Sequence, residues 1–190
     1  MLILTQSAWS PNDSAFLDTL AAAAKREALR QSAKANPEIL LLLPHAPVDP
    51  KSALTETDVV RALGSVTNTH DLYIAGSAVM DAGAAAPQTI GFVVSPTGKV
   101  VLRIPKIAPD LIEGFTDTTS AMGQPAEFPV AELPFAKVGM LCGEDIHFAQ
   151  YARAITFNGA EIILNPCVER SDQQFDHRVM SRFGRASESV

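Results

Sequence analysis

The chain has 190 residues, 47% of them hydrophobic and 19% charged, which supports one folded core and excludes a disordered chain. A net charge of −6 and a pI near 5.1 leave no basic footprint for nucleic acid or an anionic membrane surface. The longest aliphatic run, Ile39-Leu-Leu-Leu-Leu43, falls far short of the ~20 residues of a membrane span. No basic segment precedes the apolar N-terminus, so the expectation is a cytoplasmic protein without a secretory leader.

Met1 to Thr5 reads as a short strand, and Ser14 can cap an Ala- and Leu-rich helix that runs to about Lys34. Asn36-Pro37 ends that helix. Glu38 to Leu43 is a strand apolar on both faces, as buried parallel strands are. Pro44-His-Ala-Pro-Val-Asp-Pro50 reads as a rigid loop, and Thr55 to Leu63 as a second helix capped by Thr55 or Thr57. Leu72 to Ser77 is the next strand. Thr89–Ser95 and Lys99–Ile104 flank Pro96-Thr-Gly98 as a β-hairpin.

Pro105 to Glu132 is expected to be mostly irregular, and a loop of that length in a small domain is usually functional. Val138 to Leu141 is a strand, Phe148 to Phe157 a helix stopped by Asn158-Gly159, and Glu161 to Asn165 another buried strand. A last helix is expected to begin near Asp172. Strands alternating with helices around an inserted hairpin indicate an α/β fold with a mixed sheet, within a single domain over 1–190. Ligands gather at the carboxyl ends of strands in such sheets, and His45, Lys106 and Cys142 each follow a predicted strand closely.

The stretch Val138-Gly-Met-Leu-Cys-Gly-Glu-Asp145 carries the chemistry. An apolar strand stops at a thiol, a glycine allows a tight turn, and a helix-like segment follows. Helix N-termini favour a thiolate and an oxyanion. Position alone leaves Cys142 open to a second reading, because free cysteine is among the most buried residue types. Both cysteines, Cys142 and Cys167, are read as free thiols. A redox role for the pair lacks the C-x-x-C spacing.

Taken together, the chain resembles the nitrilase superfamily, the carbon–nitrogen hydrolases. The resemblance rests on Gln6, Leu43-Pro44, Ser95-Pro-Thr-Gly98, Arg103-Ile-Pro-Lys106 and Glu113-Gly114-Phe115. Its most specific block is Gly139 to Pro166, with Cys142, Arg153 and Asn158-Gly-Ala-Glu-Ile-Ile-Leu-Asn-Pro166. It implies a nitrilase-like αββα sandwich and a cysteine that forms a thioester with an amide, ureide or nitrile carbon. No metal or organic cofactor is implied. By the resemblance, Cys142 is the nucleophile and Lys106 the oxyanion lysine. Glu113 is the second glutamate beside them, and the Gly143 N–H completes the oxyanion hole. A neighbouring Lys⁺ would also lower the pKa of the thiol.

The family pattern is broken in three places. Where a general-base Glu normally follows the strand-ending proline, this chain has His45. Glu38 lies at the far end of that strand, about 20 Å away at ~3.3 Å per residue. A neutral imidazole is a competent base for a thiol, and His45 is taken as the candidate base. The elbow carries Gly143, Glu144 and Asp145 instead of an aromatic residue and one acid; Glu144 is read as holding the turn and His147 as a helix-start residue. The matched segment Arg185-Ala-Ser-Glu-Ser189 falls at the end of the sequence, so the C-terminal part of the second sheet is expected to be missing and the chain to self-associate into a homo-oligomer.

The leading functional expectation is therefore an enzyme that hydrolyses a non-peptide C–N bond of a small amide, ureide (carbamoyl) or nitrile through a Cys142 thioester. The alternative is a catalytically impaired member of the fold that serves binding or assembly.

Overall fold

The computed structural model describes residues 53–81, 87–108 and 127–167, with Ala21, Ala22, Lys25, Ser181, Arg182 and Gly184, and residues 2–4 and 40–46 through their backbone pairing. Its strands are β1 (Leu2–Leu4), β2 (Leu40–Ala46), β3 (Tyr73–Met80), β4 (Gln88–Val94), β5 (Val100–Pro105), β6 (Ala131–Leu133), β7 (Ala136–Met140) and β8 (Ile162–Leu164). Helix α1 (Glu56–His70) links β2 to β3, and α2 (Ala149–Phe157) links β7 to β8. Both links join parallel neighbours, which need a crossover of that length.

The first sheet has the order β1-β2-β3-β4-β5, parallel through β3 and antiparallel beyond it. The second has β6 antiparallel to β7 and β7 parallel to β8. Side-chain alternation along β3 and β4 sorts the core into two faces. Ile74, Ala78, Ile90, Phe92 and Val94 pack with Val59, Leu63 and Val66 of α1. Ala75, Val93, Leu102 and Ile104 pack with Val138 and Met140 of the second sheet. On the far side of that sheet, a Cβ on Gly139 would overlap Ile155 of α2, so only glycine lets the helix lie so close. The layers run α1, first sheet, second sheet, α2: the αββα order of the nitrilase fold.

Local chemistry explains the element ends. Thr55 closes a capping box, its Oγ1 accepting from the Asp58 N–H at 3.1 Å while the Thr55 N–H donates to Asp58 Oδ2 at 3.0 Å. The helix runs seven residues beyond the expected Leu63, because Val66 and Thr67 continue the buried stripe of Val59 and Leu63. The hairpin turn forms as expected, with Gly98 at φ +72° and its N–H donating to the Ser95 carbonyl.

Three expectations need correction. Strand β2 continues through Pro44 to Ala46, so His45 lies inside the strand and not in a loop after it. A register shift between Leu42 and His45 absorbs the proline. The stretch expected to be irregular to Glu132 contains β6, whose Ala131 and Leu133 are buried on one face. The helix-like segment expected directly after Cys142 is a separate 3₁₀ turn, Gly143–His147, while α2 begins with Phe148 as its cap, where expected. The expected first helix lies mostly outside the described residues, although Ala21, Ala22 and Lys25 are helical; the start of the last helix also lies outside, although Ser181, Arg182 and Gly184 are helical.

Candidate active site

Cys142 stands two residues beyond β7, where the chain leaves the second sheet. Its backbone is held by bonds on both sides. The Leu141 N–H donates to the Leu164 carbonyl at 2.8 Å and the Gly143 N–H to the Pro166 carbonyl at 2.9 Å, extending the β7–β8 ladder past the thiol. Asn165 Nδ2 donates to the Leu141 carbonyl at 2.6 Å and to the Gly143 carbonyl at 3.1 Å. One side-chain amide thus brackets Cys142. Asn165 Oδ1 in turn accepts from Arg182 Nε at 3.0 Å.

The turn itself is made by Gly143 at φ +53°, a conformation an L side chain adopts only with strain. Cys142 keeps an ordinary extended backbone, φ −87° and ψ 130°, and caps the 3₁₀ turn. Its side chain is 1% exposed and packs on the inner face of the first sheet. The contact point is Gly91 of β4, where a built Cβ would lie 2.7 Å from Cys142 Sγ and closer still to Met140 Sδ. The thiol is therefore buried, not displayed at the surface of an exposed elbow.

Lys106 follows β5 directly, its N–H donating to the Thr89 carbonyl at 2.8 Å, and it is 3% exposed. Its charge acts on both Cys142 and Asp145. Asp145, 2% exposed, accepts from the N–H of Ala108 at 2.7 Å and from that of Ile107 at 3.1 and 3.2 Å. Burial pushes its carboxyl up to about 6, against the pull of those N–H groups and of Lys106.

Burial first, and repulsion by Asp145 second, push the Cys142 thiol well above its ordinary range. Lys106 and the Gly91 N–H pull it down without cancelling that rise. Lys106 thus lowers the thiol as expected, but burial and Asp145 outweigh it. The Gly143 N–H is also reassigned. Expected in the oxyanion hole, it is bonded to Pro166 here.

His45 is placed by register alone. It pairs with Ser77, Ser77 with Gly91, and Gly91 with Ile104, in one row across β2 to β5. Two strand spacings of ~4.8 Å put its Cα about 10 Å from that of Gly91, the residue against Cys142. Glu113 lies outside the described residues. Glu144 does hold the turn, its Oε2 2.7 Å from His147 Nε2, while His147 Nδ1 is 2.7 Å from Ser181 Oγ. His147 closes the 3₁₀ turn instead of starting a helix.

Cys142 and Cys167 are both free thiols, and Arg182 Nη2 reaches Cys167 Sγ at 2.7 Å. Among the described residues, no group of three His, Cys, Asp or Glu side chains could hold a metal ion, and no helix is long and apolar enough to cross a membrane. Sequence reasoning placed Asp145 and Asn165 inside its motif blocks without giving them a role, and it passed over Gly91, whose signal was a glycine inside an otherwise apolar strand.

Solved structures share this arrangement of elements. A mutant of the Nesterenkonia AN1 amidase from the nitrilase superfamily superposes with a TM-score of 0.76 at 19% identity, over 99% of this chain and 72% of that one. A carbon–nitrogen hydrolase from Helicobacter pylori G27 gives 0.75 at 16% identity, over 96% and 68%. A mutant of the amidase from Nesterenkonia sp. AN1, with acrylamide added to its active-site cysteine, gives 0.70 at 20% identity, over 91% and 68%. A search of the curated proteins gives no match to this sequence. The family model for carbon–nitrogen hydrolases matches residues 5–188, nearly the whole chain. The chain belongs to the carbon–nitrogen hydrolase family and has the nitrilase-superfamily fold.

Proposed function

We propose that the protein hydrolyses a non-peptide C–N bond of a small amide, ureide or nitrile through a thioester on Cys142. The observation that carries this reading is the burial of both Cys142 and Lys106, after strands of two different sheets, with the charge of Lys106 acting on the thiol. The family membership and the amidase neighbours support the same chemistry.

For an amide, the base first removes the Cys142 proton; His45 is the candidate, at the position of the family's glutamate. The sulfur then bonds to the carbonyl carbon, and the π pair moves onto oxygen, where the Lys106 ammonium meets the new charge. A donor of that kind is worth roughly 3–4 kcal/mol in the transition state. Collapse of the adduct breaks the C–N bond, and the amine leaves with the proton the base had taken. Water, deprotonated by the same base, attacks the thioester and releases the acid. Glu113 is the candidate for positioning Lys106 and the substrate. With the Gly143 N–H bonded to Pro166, Lys106 carries the oxyanion in this scheme.

A second reading, a fold retained for binding or assembly, is favoured by the burial that pushes the Cys142 thiol up and by His45 in the place of a carboxylate. Intact-mass spectrometry with a panel of amides, ureides, nitriles and acyl esters separates the two. An acyl adduct that disappears in Cys142→Ala supports the enzyme, and its mass names the substrate class. No adduct in folded protein supports the alternative, and His45→Glu is then expected to create turnover, since a positioned base contributes at least about 10²-fold.

A further inference from the structure

The two residues that must act together, Lys106 and Cys142, stand at the ends of β5 and β7, in sheets that share no strand pairing. Sheet faces packed by Ala75, Val93, Met140 and their neighbours are held by non-directional contacts. Such packing does not fix an ammonium against a sulfur to within the fraction of an ångström that chemistry needs. Directional bonds do, and one side chain supplies them here. Asp145 sits on the 3₁₀ turn that Cys142 begins, and its own N–H donates to the Cys142 carbonyl at 3.1 Å. Its carboxylate crosses to the other sheet and takes the two N–H groups that follow Lys106.

We propose that Asp145 is a positioning residue of the site: its carboxylate ties the Lys106 turn to the nucleophile turn. The proposal rests on the reading of Cys142 and Lys106 as nucleophile and oxyanion partner. Placement and charge act in concert. A buried carboxylate needs hydrogen-bond donors and a nearby cation, and Ile107, Ala108 and Lys106 provide them. The same carboxylate opposes a second negative charge on the sulfur. Among the described residues, Lys106 after β5 and Tyr151 on α2 are the charged or titratable groups that act on this pair, while Glu144 on the same turn is engaged with His147.

The test is the pH dependence of Cys142 alkylation by iodoacetamide, with the modified residue assigned by mass spectrometry. Asp145→Asn keeps an acceptor oxygen for the N–H groups but removes the charge. Its alkylation is expected to run several-fold faster than the parent's at pH 7–9, where Asp145 is ionised in the parent. Lys106→Met is expected to raise the midpoint. The effect of Asp145→Ala should shrink in the Lys106→Met background, because a tie has no function without its cargo.

A superimposable profile for Asp145→Asn, in protein with the parental circular dichroism, overturns the proposal. So does full additivity of Asp145→Ala and Lys106→Met. A second measurement needs no substitution: in the parent protein the amide proton shifts of Ile107 and Ala108 are expected to titrate together near pH 6, and flat shifts between pH 4 and 8 also overturn it. Neither readout requires turnover. A parent that hydrolyses nothing defeats the functional reading and leaves the Asp145 result to be judged by itself.

Discussion

Adding one methyl group at Gly91 tests the placement of the nucleophile most directly. Built on the present backbone, the Cβ of Gly91→Ala lies 2.7 Å from Cys142 Sγ, 3.1 Å from Ile104 Cγ2 and closer still to Met140 Sδ. Carbon–sulfur and carbon–carbon contacts relax only beyond about 3.5 Å. Two buried sulfur side chains must therefore move by the better part of an ångström, in a layer where Ile104, Met140 and Cys142 are all at most 2% exposed. Overpacking of this kind costs about 1–3 kcal/mol. For a chain of this length that corresponds to a fall in Tm of roughly 4–8 °C at the middle of that range. The displaced thiol should also lose reactivity, since a shift of about 1 Å can remove 10²-fold.

Thermal unfolding followed by circular dichroism reads the first effect, and the rate of Cys142 alkylation at fixed pH the second. Shortening Met140 removes one of the two clashing atoms. Gly91→Ala with Met140→Ala should therefore cost less than the two single changes summed. A Gly91→Ala protein with unchanged Tm and parental alkylation rate would refute the close packing of β4 on the nucleophile.

Other perturbations follow from the same geometry. Asn165→Ala removes the donor to the Leu141 and Gly143 carbonyls and the acceptor for Arg182. It is expected to lower stability by about 1–3 kcal/mol in urea titrations and to slow Cys142 alkylation, because the turn around the thiol is then held only by the two backbone bonds to Leu164 and Pro166. The pH dependence of stability carries a signature of Asp145. Its folded carboxyl, pushed up to about 6, holds its proton where the unfolded chain, near 3.8, has lost it. The unfolded state thus binds fewer protons, so stability falls as pH rises from about 4 to 6, by at most about 3 kcal/mol. Asp145→Asn should flatten that slope in Tm measured between pH 4 and 7. The Cys142 thiol adds a second fall above pH 9, where only the unfolded thiol ionises. Cys142→Ala should remove it.

The order of elements was legible because it is written in local chemistry. The apolar runs of β3, β4, β7 and β8, the Thr55 cap, the Pro96-Thr-Gly98 turn and the Asn158-Gly159 stop each depend on a few adjacent residues. The candidate nucleophile and its lysine were singled out through the family motifs around Arg103-Ile-Pro-Lys106 and Gly139 to Pro166. The strand through Pro44 was not, because proline breaks a ladder in general and only the register shift beside β3 accommodates it here. Strand β6 was hidden in a stretch rich in turn formers. Its existence depends on pairing with β7 through Ala131 and Val138.

The site's energetics were less legible still. By itself the sequence singled out the candidate side chains: one thiol after a strand, one lysine after another, a histidine where a carboxylate was expected. Asp145 and Glu144 are neighbouring acids in the sequence and cannot be told apart there. The tertiary structure decided that one crosses to the Lys106 turn while the other turns back to His147. It also decided that the Cys142 thiol is raised and not lowered, since burial between two sheets and an adjacent carboxylate outweigh a single lysine. The physical reason is range. Element type follows from interactions within a few residues, whereas a pKa or a close approach such as Gly91 to Cys142 is set by groups distant along the chain, whose separation only the packing of the two sheets fixes.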